Sequence, residues 1–414
     1  MTMILSKSRS DNSSVGSAGS LPAFFGSLPK SRSEGAPCLP IDVAGKLPAT
    51  AGWQPALSRA TGLAASAKRA YTGAVRAAWK KIRYRLEWLA VKAATKIIPL
   101  FSRRACYRLA LWIGALAALL DRAGRRVALS NLKLAFGHQL SNQRRTELVR
   151  ESYQNFARTM IDLFWSPRLT RENYSRYLDV VGLDHWREEL NPGNPVIFAC
   201  CHYSNFEWVA IGANFFGVES ALIAQEFKNE LLDPIFVGLR ECSGQRVISR
   251  DGAVLQLFKT LRRGERVAIL TDLTIPAQLP TVAIDCFGLK TSVTFAHAWA
   301  HRRAGATVIN VHCEPLPAGR YRIVFHPRIE FPADASFQEM AQACWNQFEP
   351  YVRKNPAPWL WMYKHWRYRP LAADPATYPF YANISEGFER RLDERARHLE
   401  PMTSKVMLPP EFYL

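Results

Sequence analysis

No two of the eight cysteines in this 414-residue chain form a C-x-x-C pair, and their spacing is irregular. That argues against a zinc site and against a disulfide framework, and it suits a reducing compartment. Adjacent Cys200 and Cys201 lie in an apolar run and read as small core residues rather than nucleophiles. A G-x-S-x-G elbow is missing as well, so nothing supports a serine nucleophile of that kind. The longest uninterrupted apolar run, LALWIGALAALL at 109–120, has twelve residues. A helix needs about 20 to cross a bilayer. The opening MTMILSKSRSDN lacks the continuous apolar stretch of a secretory signal, while its Ser/Arg bias leaves open a transit peptide or a start placed upstream of the true one. No internal repeat is evident.

Acidic residues are scarce in the first third of the chain. Residues 1–126 hold 21 Lys and Arg against 5 Asp and Glu, whereas the remaining 288 residues hold 33 against 30. The basicity therefore belongs to an N-terminal arm, and the rest is nearly neutral. A basic arm attracts any polyanion, whether nucleic acid or anionic lipid. The near-neutral body and the lack of a nucleic-acid-binding motif speak against the first.

Residues 1–70, rich in Ser, Ala, Gly and Pro, lack the periodicity of core-forming elements and are expected to be a disordered tail. From 71 to 126 the pattern turns helical. Trp79, Leu86, Trp88, Leu89 and Val91 stand among Lys80, Lys81, Arg83 and Arg85, and Arg103, Arg104 and Arg108 precede the apolar run. Apolar faces flanked by clustered cations predict helices lying in an anionic membrane interface; a buried helical hairpin is the plainer reading. Residues 127–190 read as mostly helical. After the punctuation Asn191-Pro192-Gly193-Asn194-Pro195, short apolar strands at 196–201, 221–224, 245–248, 266–270, 307–312 and 321–325 alternate with helices at 207–216, 231–242, 253–262, 293–303 and 337–354. The fold class this implies is α/β, with a mixed sheet covered by helices on both faces. Residues 127–370 would form the catalytic body and 371–414 a C-terminal extension.

The sharpest local signal is Cys200-Cys201-His202-Tyr203-Ser204-Asn205-Phe206-Glu207-Trp208. His202 falls at the end of a buried strand, where open α/β sheets present functional groups. Glu207 falls in the first turn of the next helix. A carboxylate bonded to one imidazole nitrogen fixes the tautomer and raises the basicity of the other. Ser204-x-x-Glu207 also reads as a capping box, which would leave His202 an ordinary loop histidine.

The segment resembles the H-x4-D/E motif of the bacterial lipid A biosynthesis acyltransferases. Asn205 and Glu207 match the family pattern, while Ser204 stands where that family usually has glycine and Phe206 where it has tryptophan. Further matches follow in order. They are Asn131-Leu132-x-x-Ala135-Phe136; Arg240 with Gly244 and Ile248; Asp272 at a strand end; Cys286-Phe287-Gly288 with Thr294; and Trp359-Leu360-Trp361 with His365-Trp366-Arg367 and Pro370. Gln225, where the family often has arginine, and Leu273, in place of its glutamine, depart from the pattern near positions that bear on the acceptor head group.

The resemblance implies a glycerolipid-acyltransferase-like fold with N-terminal membrane-associated helices, and no cofactor or metal. It implies transfer of a fatty acyl chain from acyl carrier protein to a hydroxyl of a lipid A-type glycolipid, at the cytoplasmic face of a bacterial inner membrane. His202 is the expected general base and Glu207 its orienting carboxylate. Asn205, Arg240, Arg250 and Asp272 are the expected substrate-binding residues, the two arginines as contacts for acceptor phosphates. The aromatic and basic mixture Trp359, Trp361, Tyr363, Lys364, Trp366, Arg367, Tyr368 and Arg369 reads either as a membrane interface or as packing against the body.

Overall fold

The computed structural model describes residues 78–397 apart from 225–226, 250–252 and 278, and apart from the side chains of 249 and 393–397. The expectations for the tail 1–70, for Gln225 and for Arg250 fall outside the described residues.

Four helices come first: α1 (78–97), α2 (Arg103–Leu120), α3 (Arg122–Phe136) and α4 (Asn142–Trp165). Ser102, Asp121 and Ser141 each accept a backbone N–H as N-caps of α2, α3 and α4. The α2 and α4 helices pack so closely that a Cβ on Gly114 would lie 2.4 Å from the Gln154 Cα, a contact only glycine permits.

A seven-stranded mixed sheet follows, in the order β1-β9-β8-β2-β5-β3-β4. Its strands are β1 (Leu178–Val181), β2 (Val196–Cys200), β3 (Ala221–Ala224), β4 (Arg246–Ser249), β5 (Arg266–Leu270), β8 (Thr307–Leu316) and β9 (Arg320–Phe325). Strands β8, β2, β5, β3 and β4 run parallel; β9 is antiparallel to β8, and β1 is parallel to β9. Every residue of β2 is buried, as an unbroken apolar strand in a parallel sheet requires. Helices α5 (Phe206–Phe215), α6 (Asp233–Arg240), α7 (Ala253–Arg262), α8 (Ala296–Ala304) and α9 (Phe337–Lys354) connect and cover the sheet. One more helix among the described residues, α10 (Glu386–Arg397), follows an irregular stretch.

Three strands were not expected: β1, inside the stretch read as helical, and β6 (Thr281–Cys286) with β7 (Leu289–Thr294), which pair as an antiparallel hairpin. Residues 293–294 end β7, so the helix expected from 293 begins at Ala296. The hairpin turns on Phe287 and Gly288, both at positive φ (52° and 82°), a conformation most side chains avoid. The Phe287 ring is thereby driven into a cluster with Trp345, Trp359, Trp361 and Trp366. Trp359, Trp361 and Trp366 are fully buried, so this aromatic group packs the body rather than facing a bilayer.

The arginines at the start of α2 also divide. Arg104 and Arg108 are exposed. Arg103 turns inward to Asp162 on α4, Nη1 to Oδ1 at 2.5 Å, with its guanidinium over the Trp165 and Trp208 rings. It is an interior ion pair, not a surface contact.

Candidate active site

The site grows from the pairing of β2 with β5. These parallel neighbours set Cys200 beside Leu270, and the Thr271 N–H donates to the Cys200 carbonyl at 2.9 Å. The two chains therefore leave the sheet side by side, and the second residue beyond each strand is His202 in one and Asp272 in the other. Their side chains meet: His202 Nδ1 lies 2.7 Å from Asp272 Oδ1. The His202 backbone N–H and the Trp359 indole N–H both donate to Asp272 Oδ2, at 3.0 and 2.9 Å. Burial alone would push the Asp272 carboxyl up, but the His202 ring, the Trp359 indole and the His365 ring outweigh it and hold the group below the usual carboxylate range. Asp272 is thus an anion that fixes the imidazole with its Nδ1 proton facing inward, leaving the basic lone pair on Nε2.

Sequence reasoning put Glu207 in this orienting role, and there the structure corrects it. Glu207 does sit in the first turn of α5, but Arg240 Nε and Nη2 donate to its Oε2 and Oε1 at 2.9 and 2.7 Å. The carboxylate on the Nδ1 side of His202 is Asp272. Arg240 is accordingly engaged in a bidentate ion pair that ties the end of α6 to the start of α5, rather than being held out for phosphate. Asp272, expected to bind substrate, is the imidazole's partner.

Asn205 also lies inward. It is completely buried, its Oδ1 capping α5 by accepting the Trp208 N–H at 3.1 Å and its Nδ2 donating to Asp162 Oδ2 at 3.0 Å. Both ends of the amide are thus engaged inside the protein. Because Asn205 is the N-cap, the Ser204–Glu207 capping box does not form either. Ser204 takes φ 52°, and its N–H donates to the Pro358 carbonyl at 3.0 Å. This left-handed turn lets a chain leaving β2 enter α5 within a few residues, and it accounts for the glycine usual at this position in the resembled family.

Beneath this turn lies a polar knot. Asp162 accepts from Arg103, Asn205 and, at 2.6 Å, the Tyr321 hydroxyl of β9, while the Trp208 indole donates to the Asp162 carbonyl. Sequence reasoning missed Asp162, Trp359 and Tyr321 as supports of the site. Trp359 alone carried a signal, through its place in the closing Trp-x-Trp.

A family model described as bacterial lipid A biosynthesis acyltransferase matches residues 76–368. The chain belongs to that family. It is similar to acyltransferases of two kinds. It is 23% identical over 298 residues to a lipid A biosynthesis lauroyltransferase of Escherichia coli (strain K12), covering 70% of this chain and 93% of that protein. It is 23% identical over 224 residues to a phosphatidylinositol mannoside acyltransferase of Mycolicibacterium smegmatis, covering 53% of this chain and 72% of that one. A Mycobacterium tuberculosis (strain ATCC 25618 / H37Rv) protein of the same description is 25% identical over 227 residues, covering 53% of this chain and 70% of its own. This acyltransferase therefore brings together, past the C-terminal ends of two neighbouring strands, an imidazole and a buried carboxylate.

Proposed function

We propose that the protein moves a fatty acyl chain from an acyl carrier protein thioester to a hydroxyl of a lipid A-type glycolipid precursor. His202 is the general base and Asp272 its orienting anion. The acceptor oxygen bonds to the thioester carbonyl carbon as its proton passes to His202. The tetrahedral centre then collapses, the C–S bond breaks, and the departing thiolate recovers the proton from the imidazolium. Asp272 stabilises that imidazolium while it lasts, and such base assistance is worth about 10²–10⁴-fold. A thiolate leaves readily, so the reaction needs no acyl-enzyme.

The observation that carries this reading is the 2.7 Å contact between His202 Nδ1 and Asp272 Oδ1 in a chain of this family. The acceptor class finds support in the lauroyltransferase relative, which the match spans almost end to end. The mannoside acyltransferases favour a second reading, in which another lipid-linked sugar is the acceptor.

We place the reaction at the cytoplasmic face of a bacterial inner membrane. Trp79, Ile82, Leu86 and Leu89 recur at helical spacing on α1 and are exposed, as are Leu100, Trp112 and Leu119 nearby in the chain. Lys80, Lys81, Arg83, Arg85, Arg104 and Arg108 flank them and are exposed. None of the described helices is long and apolar enough to cross a membrane. This composition supports helices lying in an anionic interface.

Mass spectrometry of membrane glycolipids, with the wild type and with His202→Ala expressed in a strain lacking the protein, tests the proposal. One added acyl mass on a lipid A precursor, absent with the variant, is the expected result. An increment on a mannosylated phospholipid would select the second reading. No difference between the strains would remove both.

A further inference from the structure

We propose that Trp359 is a positioning residue for the reaction: its indole N–H locks the Asp272 carboxylate in the rotation that presents Oδ1 to the His202 ring. The inference rests on the His202–Asp272 reading above. Asp272 Oδ2 accepts from two donors fixed in the protein, the His202 backbone and the Trp359 indole, so the carboxylate cannot turn without losing both. The indole is itself immobile. Its ring stacks on His365 with centroids 3.9 Å apart, and it packs against Phe287, Trp345 and Trp361. Its backbone pairs with Tyr203, the residue after His202, and its carbonyl accepts the Ser152 hydroxyl at 2.6 Å. The residue that holds the anion is thus stitched to the strand end that carries the base. No other part of the proposed chemistry uses the closing Trp-x-Trp.

A donor on Oδ2 also draws charge away from Oδ1. Without it, Asp272 would stabilise the imidazolium more and hold the ring less accurately. The other titratable groups around Asp272 are His365, the Cys200, Cys201 and Cys286 thiols and the Tyr363 phenol, and burial keeps each of them neutral near pH 7.

The test replaces Trp359 with Phe and, in case that variant does not fold, with β-(3-benzothienyl)alanine, which keeps the shape and lacks the N–H. Trp361→Phe is the matched control. It is equally buried, but its indole donates to the Pro356 carbonyl. His202 titration is followed by NMR of ring-labelled protein, and turnover by lauroyl-charged acyl carrier protein with a lipid A precursor. In the Trp359 variants the His202 titration should move upward relative to the wild type and kcat fall roughly tenfold, with KM within about twofold. Trp361→Phe should leave the titration unchanged. Folded Trp359 variants with wild-type titration or wild-type kcat, or a Trp361→Phe that shifts equally, would overturn the inference. Full turnover by His202→Ala would instead remove the reading on which it rests, whatever the titration shows.

Discussion

Glu207 and Arg240, thirty-three residues apart, are joined by two parallel hydrogen bonds of 2.9 and 2.7 Å, with both side chains mostly out of water. Removing one partner of such a pair strands the other charge, at a cost of about 3–5 kcal/mol. Glu207→Gln and Arg240→Gln should each lose stability on that scale, and the double variant much less than the sum. Urea denaturation of the three proteins checks this. Additive losses would show that the two side chains do not act as a unit.

Asp272→Asn preserves volume but offers an amide where the imidazole needs an anion. The expected outcome is a kcat lowered by about 10²–10⁴-fold with little change in KM, matching His202→Ala in direction. Steady-state kinetics on folded protein decides it, and an Asp272→Asn enzyme near the wild-type rate would exclude Asp272 from the chemistry.

Three interior histidines make stability depend on pH. Burial pushes His297 and His365 down to about 4 and His326 down to about 3. All three are neutral in both states above the unfolded value near 6.5. Below it the unfolded chain takes up protons that the folded chain refuses, so stability falls from about pH 6.5 until those folded values are reached. His297, with neither ring nitrogen hydrogen-bonded, is the cleanest probe. His297→Leu should flatten the slope in this range by about 1.4 kcal/mol per pH unit. Denaturation midpoints across that window measure it, and an unchanged slope would contradict the assignment.

Ser204 holds a left-handed backbone, φ 52°, in a buried turn. Glycine accepts that conformation freely, whereas a β-branched residue resists it. Melting temperatures should therefore rank Ser204→Gly above wild type and Ser204→Val below, and the reverse order would disprove strain at this turn.

On the outer face of the first two helices, glutamate at Trp79, Leu86 and Trp112 should release the protein from phosphatidylglycerol-containing vesicles in a flotation assay. The melting temperature should stay near wild type, since these side chains are exposed. Persistent flotation of the triple variant would place membrane contact elsewhere.

Local pattern made much of this architecture readable. The apolar runs at 266–270 and 221–224, and the helices at 253–262 and 337–354, coincide with β5, β3, α7 and α9. The β6–β7 hairpin escaped because Asp285, Lys290 and several threonines interrupt its apolar pattern, and because its turn places a phenylalanine at positive φ. His202 was legible from its position after a buried strand. Its partner was not, since the neighbour of β2 is decided by sheet order, which no local signal states. Glu207 stood near in sequence, while Asp272 stood near in space.

The buried Arg103–Asp162 pair has a practical consequence for anyone cutting this protein down. Starting an expression fragment at residue 127 would delete the guanidinium and leave a carboxylate stranded in the interior, one hydrogen bond from the residue that caps α5. The first helices are therefore no detachable anchor, and a minimal working fragment has to begin ahead of α2.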